Sequence, residues 1–205
     1  MSLLEIIILA VVQGITEFLP ISSSGHLRVA AEILGIPGST LAIDVAVHVG
    51  TLGAVLIYFW RDIVRILIGL AQFTVGRRTH GGLLGVYIVM ASIPIFVVGF
   101  FGRDLIDSNL RTLEIIGWTS IVFAVLLWWA DRTGMTVLNL DHLTPRNAII
   151  IGLAQVLALI PGTSRAGVTI TAARLLGYER SEAARFSMLL SIPAVAGAGL
   201  SITLN

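Results

Sequence analysis

Long apolar runs separated by short polar clusters dominate this chain. Four of them, 42–60, 83–101, 113–130 and 184–204, are apolar over the length that crosses a bilayer, about 20 residues. Two other stretches have a different rhythm. Residues 1–35 and 147–177 each hold an apolar segment, a break rich in Pro, Gly and Ser, and a second apolar segment. Neither segment is long enough to span, so the pattern predicts a helix, a break and a short helix: a re-entrant hairpin with its tip at membrane depth. Non-helical backbone at that depth is tolerated only against protein or a wet cavity.

The two broken stretches are weak copies of each other. QGITEFLPISSSGHLRVAAEILG begins at Gln13 and QVLALIPGTSRAGVTITAARLLG at Gln155, an offset of 142. Gln13 then falls on Gln155, Ser22 on Ser164, Gly25 on Gly167 and Gly35 on Gly177. With three spans between the copies, the second is inverted relative to the first, and sites in such repeats lie at their interface near the midplane. Arginine placement sets the orientation. Arg61, Arg65, Arg77, Arg78, Arg132, Arg146, Arg174, Arg180 and Arg185 fall on one side, and Arg103 and Arg111 on the other. The richer side is read as cytoplasmic, so the first hairpin opens outward.

Composition narrows the class. Of 205 residues, 56% are hydrophobic and 12% charged, against about 25% charged in soluble domains, so lipid is the expected solvent. No cysteine is present, which excludes disulfides and thiolate metal sites. A net charge of +1 without a basic tail gives no sign of a nucleic-acid partner. No small-residue cleavage site follows the apolar start, so the N-terminus is expected to be retained. The fold class expected is all-α: a polytopic membrane protein with inverted-topology repeats, each a re-entrant helical hairpin plus transmembrane helices, with the second repeat incomplete. One membrane-embedded domain is expected over 1–205, with repeat one at about 1–140 and a partial repeat two at about 142–205. By symmetry two further spans would complete the second repeat, so a C-terminal truncation is expected.

Charge inside a membrane costs roughly 2.5–3.5 kcal/mol per residue and usually marks function. Glu17, His26 and Arg165 all fall at the expected hairpin tips. The turns Ser22-Ser23-Ser24-Gly25 and Ser164-Arg165-Ala166-Gly167 each lead into a helix, an arrangement that cradles anions on backbone N–H groups. Arg165 adds a guanidinium that matches phosphate with two parallel hydrogen bonds, and Ser164 and Thr169 are further donors. Helix capping is the competing reading for these hydroxyls. Gln13 and Gln155 could support the tips as polar links between helices. Asp44 and His48 lie one helical turn apart near the outer end of a span, as an ion pair or part of a pathway. Glu5, Asp104, Asp107 and Glu114 read as wet loop or helix-end charges. An acid, a hydroxyl, an imidazole and an arginine beside two Ser/Gly turns suit phosphoryl transfer, which relies on positioning and charge neutralisation.

At EFLPISSSGH, 17–26, and PGTSRAGVTI, 161–170, the chain resembles the undecaprenyl-diphosphate phosphatases of the bacitracin-resistance type. The resemblance implies an integral membrane enzyme that removes the terminal phosphate of a C55 polyprenyl diphosphate. Its product is the lipid carrier of cell-wall synthesis, recycled on the outer face of the bacterial inner membrane. Glu17 matches that family's motif glutamate, Ser23 and His26 its serine and histidine, and Ser164, Arg165 and Thr169 its phosphate-binding set. The implied chemistry has Ser23 attacking phosphorus with His26 as general base and Glu17 assisting; His26 as nucleophile and direct attack by water stay open. Two positions depart from the family pattern: Gln13 stands where a second glutamate is common, and Ala166 where a serine is. The resemblance also implies dependence on Mg²⁺ or Ca²⁺, which a single carboxylate would leave held largely by the diphosphate. Expected partners are the polyprenyl diphosphate and the bilayer, with a homodimer left open. The rival function is a transporter or flippase of a phosphorylated polyprenyl lipid, which would not need the Ser-His-Glu set.

Overall fold

The computed structural model describes residues 2–36, 41–109 and 112–203. Arg111 and the side chains of Asp44, Arg103, Asp104 and Asp107 lie outside the described residues. Nine α-helices account for the described fold: α1 Leu3–Thr16, α2 Ser23–Ile33, α3 Leu41–Tyr58, α4 Trp60–Thr74, α5 His80–Asn109, α6 Leu113–Thr133, α7 Pro145–Val156, α8 Arg165–Leu175 and α9 Arg180–Thr203. No β-strand occurs among the described residues, only an isolated bridge between Leu138 and Tyr178. By length and composition, 80–102 and 113–133 could cross a membrane. On α6 the side chains of Trp118, Ile121, Val122, Val125, Trp128 and Trp129 are all at least half exposed. Water would not leave so continuous an apolar face uncovered; lipid would.

Both broken stretches form helix, break and short helix. Ser22 caps α2 by accepting the Gly25 N–H at 3.2 Å, and Ser164 caps α8 by accepting the Gly167 N–H at 3.1 Å. Both short helices end at a glycine of positive φ, Gly35 at 63° and Gly177 at 94°, where a side chain would strain the turn. At about 1.5 Å per residue, α1, α2, α7 and α8 each fall short of a bilayer core of about 30 Å.

One element was not expected. No helix was expected between the spans 42–60 and 83–101, yet α4 occupies most of that interval and packs against α5. The contact depends on glycine: a Cβ on Gly69 would collide with the Gly81–Gly82 backbone. Only Ile66 and Gly69 of α4 are buried, while Trp60, Val64, Leu67 and Ile68 are exposed. Its Arg and Asp residues had concealed this amphipathic helix among apolar spans.

The core collects where α5, α7, α8 and α9 meet, around Ala91, Ile151, Ala173, Phe186 and Leu190. A buried polar latch lies beside it. Arg174, 1% exposed, donates from Nη1 to the Tyr178 carbonyl at 2.6 Å and from Nη2 to the carbonyls of Gly134 and Asp131. Its Nε stands 3.2 Å from Asp131 Oδ1, an ion pair without hydrogen-bond geometry. Arg180 grips the same carboxylate with two bonds, at 2.6 and 2.8 Å. The latch ties the end of α6 to the end of α8, so α8 runs between it and the polar break at Ser164.

Candidate active site

The two breaks meet. Glu17, at the C-terminus of α1, accepts the Ser23 hydroxyl on Oε2 at 2.7 Å and the Arg165 Nη2 on Oε1 at 2.5 Å. Gln13, one turn earlier, donates Nε2 to the same Oε2 at 3.2 Å. A carboxylate from the first break thus holds a hydroxyl of its own stretch and a guanidinium 148 positions away. So buried a carboxylate is tolerated because each oxygen is hydrogen-bonded.

Neighbouring helices shape the second break. Thr119 and Ser120 of α6 donate their hydroxyls to the carbonyls of Pro161 and Gly162, at 2.8 and 2.9 Å. Gly162 has φ of 91°, and a Cβ there would strike Thr119 and Ile116. Ile116 also packs against Gly25 of the first break, so α6 supports both. Apolar sequence gave no sign that a spanning helix would satisfy a loop in this way, yet backbone carbonyls away from water require partners.

Around this junction lies a cavity of about 500 Å³. Glu17, Ser22, Ser23, Ser24, Thr163, Ser164 and Arg165 belong to its polar part, with Arg28 and His48; Ile21, Leu27, Val45, Val49, Ile95 and Ile116 are among its apolar walls. A charged headgroup with an apolar chain fits such a division. The hydroxyl of Thr163 is buried and without a hydrogen-bond partner among the described residues.

A family model for the bacitracin resistance protein BacA matches residues 6–204. The chain belongs to this family. It is 53% identical over 200 residues to an undecaprenyl-diphosphatase of Teredinibacter turnerae, covering 97% of this chain and 76% of that protein. It is 51% identical over 206 residues to one of Alteromonas mediterranea, at 100% and 77% coverage, and 50% identical over 202 residues to one of a Jannaschia species, at 98% and 76%.

Within this BacA-family chain the expected site residues divide. Glu17, Ser23, Arg165, Ser22, Ser24 and Ser164 line one cavity. His26 is exposed and not among the lining residues; its Nδ1 donates to the Ser22 carbonyl at 2.6 Å, one turn back along α2. That bond fixes the neutral tautomer with the lone pair on Nε2. Ser23 donates its hydroxyl to Glu17, and no hydrogen bond joins Ser23 to His26 among the described residues. Thr169 is not brought to the cavity either: it is 1% exposed, and its hydroxyl meets the Arg165 carbonyl at 2.9 Å and Ser187 Oγ at 2.7 Å, joining α8 to α9. Gly25 and Gly167 are buried, with their N–H groups taken by the capping serines, so the amides left for an anion are those nearer each helix start. Gln155 is fully buried, and both its amide atoms lack partners among the described residues.

Among the polar lining residues, Arg28, Thr163 and His48 were not expected at the site. His48 of α3 lines the cavity, with Nε2 4.0 Å from Glu17 Oε2. Its one-turn spacing from Asp44 had drawn notice, but only the packing of α3 on α1 directs it to Glu17. No group of three or more His, Asp or Glu that could hold a metal exists among the described residues, and both Glu17 oxygens are occupied. The described residues do not fit a protein-built Mg²⁺ or Ca²⁺ cage.

Proposed function

We propose that this chain is an integral-membrane phosphatase that hydrolyses undecaprenyl diphosphate to undecaprenyl phosphate and inorganic phosphate. The observation that carries the reading is Glu17 joining Ser23 to Arg165 in one half-apolar cavity. The diphosphate takes Arg165 from Glu17, since a guanidinium pairs with phosphate oxygens as readily as with a carboxylate. Glu17 is then free to accept the Ser23 proton as the Oγ–P bond forms and the bridging P–O bond to the lipid phosphate breaks. Water next attacks the phosphoserine, the proton on Glu17 returns to Ser23 Oγ, and inorganic phosphate and one proton leave. Ser164 and Thr163 offer further donors to the transferred group. Because the described residues offer no cage, a divalent cation would be held largely by the diphosphate.

The fold reading that accompanies this is a single membrane-embedded unit of inverted repeats. The two broken stretches are re-entrant hairpins in the bacterial inner membrane, and the cavity opens to the outer face. Matching caps at Ser22 and Ser164 and the arginine distribution support it.

The test is phosphate release from a C15 or C55 diphosphate by the purified chain in detergent, where no membrane remains to cross. Ser23→Ala and Glu17→Gln should each lower kcat by about 100-fold or more, and Arg165→Ala by about 1,000-fold. Retention of most activity by Ser23→Ala would remove serine as nucleophile. Absence of turnover alongside lipid movement in vesicles would favour transport.

A further inference from the structure

The wall of the cavity formed by α2 carries a charge that the chemistry above does not use. Arg28 lies one helical turn beyond Ser24 and lines the same cavity as Glu17, Ser23 and Arg165. It is exposed, and it makes no ion pair or hydrogen bond among the described residues. Helix side chains lean toward the N-terminus of their own helix, which carries Arg28 back over the serine turn.

Charge balance gives this position its meaning. Arg28 and Arg165 are the guanidinium groups of the lining, and Glu17 is its carboxylate. Arg165 and Glu17 neutralise each other. Among the described residues, Arg28 and His48 are then the groups of the lining left to attract a multiply charged headgroup, and Arg28 is the guanidinium of the two. Its α-carbon stands about 7.5 Å along α2 from that of Ser23, beside apolar Leu27. An arginine side chain leaning back along the helix spans most of that offset, which brings its guanidinium within reach of a phosphate adjoining the one that Ser23 attacks.

We propose that Arg28 binds the lipid-linked phosphate of the polyprenyl diphosphate, and so makes the site select a diphosphate over a monophosphate. This rests on the hydrolase reading above. Two ligands test it by calorimetry with the purified full chain in detergent: methylenediphosphonate, which is not hydrolysed, and inorganic phosphate. Arg28→Gln should weaken methylenediphosphonate about tenfold or more, leave inorganic phosphate within about twofold, and raise KM for a C15 diphosphate more than it lowers kcat. Arg28→Lys should restore part of the loss. Unchanged affinity for methylenediphosphonate overturns the proposal, and so does equal weakening of both ligands. If the parent chain binds methylenediphosphonate through Arg28 yet releases no phosphate, the hydrolase reading fails and Arg28 stands as a ligand for paired phosphates.

Discussion

Glu17 takes three hydrogen bonds on two oxygens, and this crowding explains why the glutamine at position 13 matters. An amide donates to the carboxylate, whereas a second carboxylate at the same place would repel it. Gln13→Leu should therefore loosen Glu17 rather than abolish its chemistry. The expected fall in kcat is about tenfold, with Ser23→Ala far more damaging, and steady-state kinetics on a C15 diphosphate would compare them. His26 presents the opposite case. Its ring is held on the Ser22 carbonyl outside the cavity lining, so His26→Ala should cost less activity than Glu17→Gln. The reverse order in the same assay would return the general-base role to the imidazole.

The helices show how a break survives among apolar neighbours. Pro161 and Gly162 expose carbonyls that no helix of their own satisfies, and hydroxyls of α6 reach them from 42 positions away in sequence. Gly162→Ala combines a left-handed backbone with a collision against Ile116 and Thr119. It should destabilise the protein by about 1–3 kcal/mol and displace Arg165, lowering both the melting temperature and kcat. Arg174 closes the far end of α8 through carbonyls alone apart from Asp131 and Thr136. Arg174→Met would leave those acceptors buried without donors. A loss of about 3–5 kcal/mol is expected, read as a lower melting temperature in detergent, with KM nearly unchanged.

For the whole molecule, orientation is the testable property. The chain has no cysteine, so single substitutions can be labelled without background. Leu19, 47% exposed in the first break, should react as Leu19→Cys with an impermeant maleimide added to intact cells whose outer barrier is opened. Arg77, exposed beyond the end of α4, should react as Arg77→Cys only once the inner membrane is permeabilised. Labelling of both positions from the same side would reject the proposed arrangement of outward cavity and arginine-rich cytoplasmic face.

Much of this was legible in residue order alone, because its causes are local. Apolar run length marked α3, α5, α6 and α9, and Pro, Ser and Gly marked both breaks, since capping hydroxyls and positive-φ glycines act over three or four residues. Charge at the two breaks singled out Glu17, His26 and Arg165, and the family resemblance added Ser23. Packing decided what local order cannot encode. It turned His48 and Arg28 into the cavity and left His26 and Thr169 outside its lining. It made Thr119 and Ser120 the support of a distant loop, and it formed α4 where charges had hidden an amphipathic face. Each of these depends on which surfaces touch across long separations, and side-chain direction is settled only when neighbouring helices close around it.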